Sequence, residues 1–145
     1  MTNDQYEMDV ELPAPVDEVF RHLTNPAAMV RWMGQHASLE PTAGGNFEVD
    51  INGIPIRGRY LEVEPPHRVV VSWGVAGSGE MPPGATTVEF VLTATPAGTH
   101  LHLTHRNLPP SQAPAHGIGW THFLDRLLIL AAGADPGPDP WDPAP

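Results

Sequence analysis

Residues 87–132 read TVEFVLTATPAGTHLHLTHRNLPPSQAPAHGIGWTHFLDRLLILAA, and two periodicities in that stretch decide the fold. Val88, Phe90 and Leu92 alternate with Thr87, Glu89, Val91 and Thr93. After the turn of Pro96, Ala97 and Gly98, the residues Leu101, Leu103 and His105 alternate with His102, Thr104 and Arg106. A period of two sends neighbouring side chains to opposite faces, so both runs are strands with one buried and one wet face. Beyond the Pro-rich stretch 108–114 the period lengthens. His116, Trp120, Phe123, Leu127 and Leu130 fall on one helical face, widened by Leu124 and Leu128. The spacing predicts a helix over 115–132, which at about 1.5 Å per residue reaches roughly 27 Å, enough to cross a sheet.

The alternation extends toward the N-terminus. Val69, Val70, Val71, Ser72 and Trp73 form a strand between the break at Pro65 and Pro66 and a Gly- and Pro-rich loop over 76–85. Asn52 and Gly53 are a hairpin signal between a strand carrying Phe47, Val49 and Ile51 and another running from Ile56 to about Glu64. Tyr6, Met8, Val10 and Leu12 alternate with Gln5, Glu7, Asp9 and Glu11 until Pro13 ends the run. Pro15, then Asp17 and Glu18, suit the first turn of a helix striped by Val16, Val19, Phe20 and Leu23. Asn25 and Pro26 stop it and cap a second short helix over 27–33, closed by Gly34. A strand, two helices, five more strands and a long helix make an α+β domain. Its short connections predict a curved antiparallel six-stranded sheet (β-α-α-β5-α) around the last helix. Residues 133–145, rich in Pro and Asp, are predicted to be a flexible tail with Trp141 as an anchor.

Charge and composition narrow the partners. Seven Lys and Arg against 17 Asp and Glu give a net charge of -10, with the cations scattered. Such a balance repels nucleic acid and anionic membranes, whose binding needs clustered cations. The lack of cysteine excludes disulfides and thiolate chemistry. The acidic first eleven residues are unlike a secretory signal, and no apolar run approaches the length that spans a bilayer, so a soluble cytoplasmic protein is expected. Residues 74–79 match neither a phosphate loop nor a dinucleotide fingerprint, and Ser38, Ser72, Ser78 and Ser111 lack a nucleophile elbow. No cofactor and no metal is expected.

Several strings in this order resemble the START-like superfamily, also called SRPBCC or helix-grip. They are PVDEVF at 15–20 with LTNP at 23–26 and Trp32, GGNF at 44–47, GRYLEVEPP at 58–66, VSW at 71–73, LHLTH at 101–105, and His116 with Gly119, Trp120 and LDRL at 124–127. Within that superfamily they are most similar to the bacterial branch related to the C-terminal domain of the activator of the heat-shock protein 90 ATPase. The resemblance implies a START-like ligand-binding domain over 1–132, with a deep cavity that elsewhere holds lipids, polyketides and similar apolar molecules. It implies no reaction, since the fold hosts binders, cyclases and co-chaperones without shared catalytic residues. Pro109, Pro110 and Pro114 replace the acidic helix start such relatives carry, which predicts a late helix and a reshaped cavity end.

Strand parity and helix stripe name a candidate lining. It comprises Phe47, Val49 and Ile51, then Val71 and Trp73, Phe90 and Leu92, and Leu103 and His105. From the helix come His116, Trp120, Phe123 and Leu127, with Tyr60 if even residues of its strand point inward. Trp32 and Met33 are placed at one cavity mouth. The same residues serve equally as plain core. His105 and His116 are expected to converge at one cavity end as structural groups, ligand contacts or acid–base groups. His100 and His102 have a chelating spacing, with Glu89 near, but read as solvent-exposed. The leading expectation is a binder of a small hydrophobic or aromatic molecule, lipid- or polyketide-like. Its alternatives are a cyclase- or hydrolase-type enzyme using His105, His116 and Tyr60, and a co-chaperone-like protein-binding module, as monomer or homodimer.

Overall fold

The computed structural model describes residues 5–139. Its elements run β1 (Tyr6–Leu12), α1 (Val16–Thr24), α2 (Pro26–Met29), β2 (His36–Leu39), β3 (Asn46–Ile51), β4 (Ile54–Glu64), β5 (Arg68–Trp73), β6 (Thr86–Thr95), β7 (Gly98–Arg106) and α3 (Ala113–Ala131). One curved sheet in the order β1-β7-β6-β5-β4-β3-β2 holds all seven strands, every neighbouring pair antiparallel. The α+β reading therefore holds, with a C-terminal helix against the sheet. A register shift between Tyr60 and Glu62 interrupts the β4–β5 ladder, the kind of irregularity that bends and twists a strand.

Three boundaries differ from the sequence reading. The sheet has seven strands rather than six. The added one, β2, is a four-residue edge strand whose HASL sequence is too short for alternation to stand out, and it pairs Leu39 with Phe47 and His36 with Asp50. α2 stops at Met29 instead of 33, and the chain turns so that Trp32 and Met33 sink into the core. α3 starts at Ala113, ahead of the predicted 115, because Pro114 occupies the first turn, where no backbone donor is required.

Burial follows parity. Phe47, Val49, Val71, Val88, Phe90, Leu92, Leu101 and Leu103 all lie on the inner face and are buried. Removing a large apolar side chain of this kind from water contributes about 1.5–3 kcal/mol. α3 lays Trp120, Phe123, Leu124 and Leu127 onto them. The α1–α2 unit is fastened to the same core by two buried bonds. Trp32 Nε1 donates to the His22 carbonyl at 3.0 Å, and the Tyr60 hydroxyl donates to the Leu23 carbonyl at 2.9 Å. No described helix is long and apolar enough to cross a membrane.

Candidate functional site

α3 differs along its length, and that difference makes the site. Its N-terminal half contains Ala113, Ala115, Gly117 and Gly119, whereas its C-terminal half contains Phe123, Leu124, Leu127 and Leu128. Small residues let a helix approach closely: a Cβ on Gly117 would lie 3.0 Å from the Tyr6 ring. They also leave volume unfilled. Beside this half of α3 lies a cavity of about 400 Å³, lined by Ile51, Ile54, Ile56, Trp73, Val75, Met81, Gln112, Ala115, His116, Ile118, Gly119, Trp120 and Phe123. That volume falls in the range of small-molecule sites. None of the lining residues is charged.

The sheet side of the cavity is an extension of β4 and β5. Arg57 N donates to the Gly74 carbonyl at 2.9 Å and Ala76 N to the Pro55 carbonyl at 3.0 Å, with an isolated bridge between Ile56 and Val75. The loop over 76–85 then folds back, and Val75 N reaches the Met81 carbonyl at 2.8 Å. Only glycine fits at 74, because a Cβ there would stand 1.9 Å from the Pro82 carbonyl oxygen. The loop is clipped to the start of α3 by Glu80, which accepts from the Ser111 hydroxyl and, at 2.8 Å, from the Gln112 amide. These bonds hold the Glu80 carboxyl below its ordinary range. Ile118, 62% exposed, stands at the lip.

Of the residues proposed from sequence as lining, Ile51, Trp73, His116, Trp120 and Phe123 meet at this cavity. Trp32, Met33, Phe47, Val49, Tyr60, Val71, Phe90, Leu92, Leu103, His105 and Leu127 do not. They are buried in the core instead. An inward-facing position can be pocket or packing, and where α3 is bulky the space closes. Tyr60 is spent on the Leu23 carbonyl, and burial pushes its hydroxyl pKa up, away from acid–base use. Missed were Ile54, Ile56, Val75 and Met81, at a strand start and in the folded-back loop, and Gln112, Ala115, Ile118 and Gly119 on or beside α3. The cluster of small residues early in α3 was the available signal.

The two histidines do approach, with ring centroids 5.0 Å apart and planes at 85°, but they differ in kind. His105 is fully buried with both nitrogens engaged. Trp120 Nε1 donates to its Nδ1 at 3.1 Å, and an indole can only donate. Nδ1 must therefore be bare, Nε2 carries the proton and gives it to Thr86 Oγ1 at 2.8 Å, and Thr86 donates to the Trp73 carbonyl at 2.7 Å. Burial, with a smaller push from His116, lowers the His105 pKa to about 2. It is a neutral structural relay and not an acid–base group. His116 lines the cavity and donates Nδ1–H to the Gln112 carbonyl at 3.1 Å, leaving the Nε2 lone pair without a partner among the described residues. Burial lowers its pKa, partly offset by that hydrogen bond.

On the outer face, His100 and His102 face β1 rather than Glu89. His100 contacts Glu11 and Asp9, the latter at 2.8 Å, while His102 contacts Asp9 at 2.7 Å and Glu7 at 3.1 Å. The carboxylates hold both imidazoles above their ordinary pKa, and the histidines hold Asp9 below its own. Glu89 is taken by Arg68 and Arg106, each at 2.7 Å. At the far end of α3, buried Arg126 donates to the carbonyls of Trp32, Arg31, Pro136 and Gly137. His122 meets Asp139 at 2.7 Å. The proposed anchor Trp141 lies outside the described residues.

Comparison with known proteins agrees with this architecture. The family model for Activator of Hsp90 ATPase homolog 1-like protein matches residues 13–132. Among solved structures, the AHSA1-like protein of Rhizobium etli is 42% identical, over 95% of this chain and 88% of that one, with a TM-score of 0.76. CalU16 from Micromonospora echinospora is 32% identical over 92% of this chain and 76% of its own, at a TM-score of 0.70. DynU16, a protein of the dynemicin biosynthetic locus, is 30% identical over 97% of this chain at a TM-score of 0.83, and this chain spans 52% of its length. No curated protein matches the sequence.

Proposed function

This chain belongs to the family of Activator of Hsp90 ATPase homolog 1-like proteins, and on that premise we propose that it binds a small, mainly apolar molecule, aromatic or polyketide-like, in the cavity beside the first half of α3. One observation carries the reading: a cavity of about 400 Å³ walled largely by Ile, Val, Met, Phe and Trp side chains. Apolar concavities with few polar groups are the usual form of a small-molecule site. The place of DynU16 in a biosynthetic locus supports a metabolite as the ligand class. The net charge of -10 disfavours anions and nucleic acid, in keeping with a neutral ligand met in the cytoplasm.

Calorimetric titration of tetralin-class compounds into the wild type and a Gly119→Leu variant tests the reading. Gly119 lines the cavity, so a leucine there removes volume without touching the closed core. One-to-one binding by the wild type, weakened at least about tenfold in the variant, is the expected outcome. Absence of binding by the wild type, or equal binding by both, would contradict it.

A second reading rests on His116 in the cavity wall, whose Nε2 has no partner among the described residues. Should the protein turn over a bound molecule, His116 is the acid–base group, and His116→Ala would lower the rate by about 10² to 10⁴. Unchanged turnover would remove it from any mechanism.

A further inference from the structure

One residue of the cavity wall, Trp73, carries a buried polar atom that no described residue satisfies. Trp73 is 3% exposed and lines the cavity, yet its Nε1–H has no hydrogen-bond partner among the described residues. The other indoles of the described core are satisfied: Trp32 on the His22 carbonyl and Trp120 on His105. A buried N–H without an acceptor is rare and costly, so each instance asks for an explanation. Rotation offers no remedy here. The Trp73 ring is wedged against Trp120 at 5.2 Å, His105 at 5.8 Å and Phe47 at 5.9 Å between centroids.

The opposite polarity sits in the same wall. A carbonyl only accepts, so the bond to Gln112 O places the His116 proton on Nδ1 and leaves Nε2 as a bare acceptor. Gln112, the remaining polar side chain of the lining, donates its amide N–H to Glu80. The lining residues thus include a rigid donor, the Trp73 N–H, and an acceptor, His116 Nε2, in an apolar surround without a cation.

Resting on the small-molecule reading above, we propose that the cavity selects a neutral cyclic molecule bearing a carbonyl or similar oxygen for the Trp73 indole and a hydroxyl for His116 Nε2, a hydroxylated aromatic ketone or phenol-like compound. Carboxylates and phosphates are rejected, since nothing in the wall compensates a buried negative charge. Pure hydrocarbons fit but leave Trp73 unsatisfied. Specificity of this kind comes from buried polar groups that a ligand lacking the matching atom leaves unpaired.

The test compares matched probes that differ by one polar group. Wild type should bind 1-tetralone about tenfold more tightly than tetralin, prefer 1-naphthol to naphthalene, and bind 1-naphthoate least. Trp73→Phe keeps an aromatic ring, smaller than the indole, and removes the N–H. It should bind 1-tetralone and tetralin alike while retaining the preference for 1-naphthol, which His116→Phe should abolish. A direct signal guards against a misfolded variant: in the wild type, the Trp73 indole N–H resonance should move on adding 1-tetralone far more than on adding tetralin. Equal affinities for 1-tetralone and tetralin in the wild type, a preference that survives Trp73→Phe in a folded variant, or an indole resonance indifferent to the carbonyl would each overturn the proposal. Binding of tetralin and 1-tetralone with equal strength would leave the small-molecule reading standing. Failure of every probe to bind the wild type would remove both.

Discussion

The two halves of α3 meet the same sheet and finish differently. Toward the C-terminus, Leu124 and Leu127 are buried in the same core as Phe90, Leu101 and Leu103, and Arg126 ties the helix to the turn after α2 and to residues 136–137. Toward the N-terminus, Ala115 and Gly119 line one cavity together with Ile54, Ile56 and Met81. One half uses its inward stripe for stability and the other leaves it for a ligand. The alternation of the strands is the same beneath both. What differs is side-chain volume on the helix, a few residues that decide whether an inner face becomes core or pocket.

Substitutions in the closed half should produce the largest effects. Phe90→Ala is expected to cost about 3–5 kcal/mol in urea denaturation, whereas Ile54→Ala at the cavity should cost about 1 kcal/mol or less, because its side chain is only partly buried and lines the pocket. Equal losses would erase the distinction between the halves.

Arg126→Met comes next. It removes four donor contacts to main-chain carbonyls, with an expected loss of about 2–3 kcal/mol. Tetralin affinity should stay unchanged, since the latch lies away from the cavity. A parallel drop in affinity would mean that the two ends are coupled.

His105 sharpens the comparison by pH. Its folded pKa of about 2 lies below the unfolded value of about 6.5. The unfolded chain therefore binds the additional proton, and stability falls as pH drops below about 6.5, by up to about 1.4 kcal/mol for each pH unit. His105→Gln should flatten the slope of unfolding midpoint against pH relative to wild type. An unchanged slope would place the acid sensitivity elsewhere.

Gly119→Ala separates stability from binding. Alanine is better than glycine inside a helix by about 0.5–1 kcal/mol, so the variant should melt higher and bind tetralin more weakly. The smallest effect is expected at the β1–β7 ladder of Glu7, Asp9, Glu11, His100 and His102. The raised histidine pKa values make its contribution present below about 6.5 and lost as pH rises through the higher folded values. Asp9, shifted the other way, contributes above its ordinary range and loses that as pH falls. Protection factors of β1 amides, which divide out the intrinsic pH dependence of exchange, should fall modestly from pH 6 to pH 9, less so in high salt.

These regions also mark how much the sequence could reveal. Period-two runs such as Val88, Phe90 and Leu92 identify strands because one buried face forces alternation, and all three are buried as expected. β2 escaped because a four-residue edge strand has no room for a pattern and takes its order from β3. Parity placed Phe47, Tyr60, Leu103 and His105 correctly on the inner face, yet they are packed and not pocket-lining. Parity reports the direction of a side chain and says nothing of what stands opposite. Val75 and Met81 belong to a loop whose return depends on tight backbone packing at Gly74, a three-dimensional fact without a one-dimensional period. The run of Ala and Gly opening α3 was legible as missing volume, and it points to the end of the helix where the cavity lies.

Methyl-resolved NMR of the wild type titrated with tetralin bears most directly on the division between the halves of α3. Ile54, Ile56, Ile118 and Met81 methyl signals should shift while those of Leu92, Leu101 and Leu103 stay still. Shifts centred on Leu92, Leu101 and Leu103, or no shift anywhere at saturating probe, would contradict a pocket confined to the small-residue half of the helix.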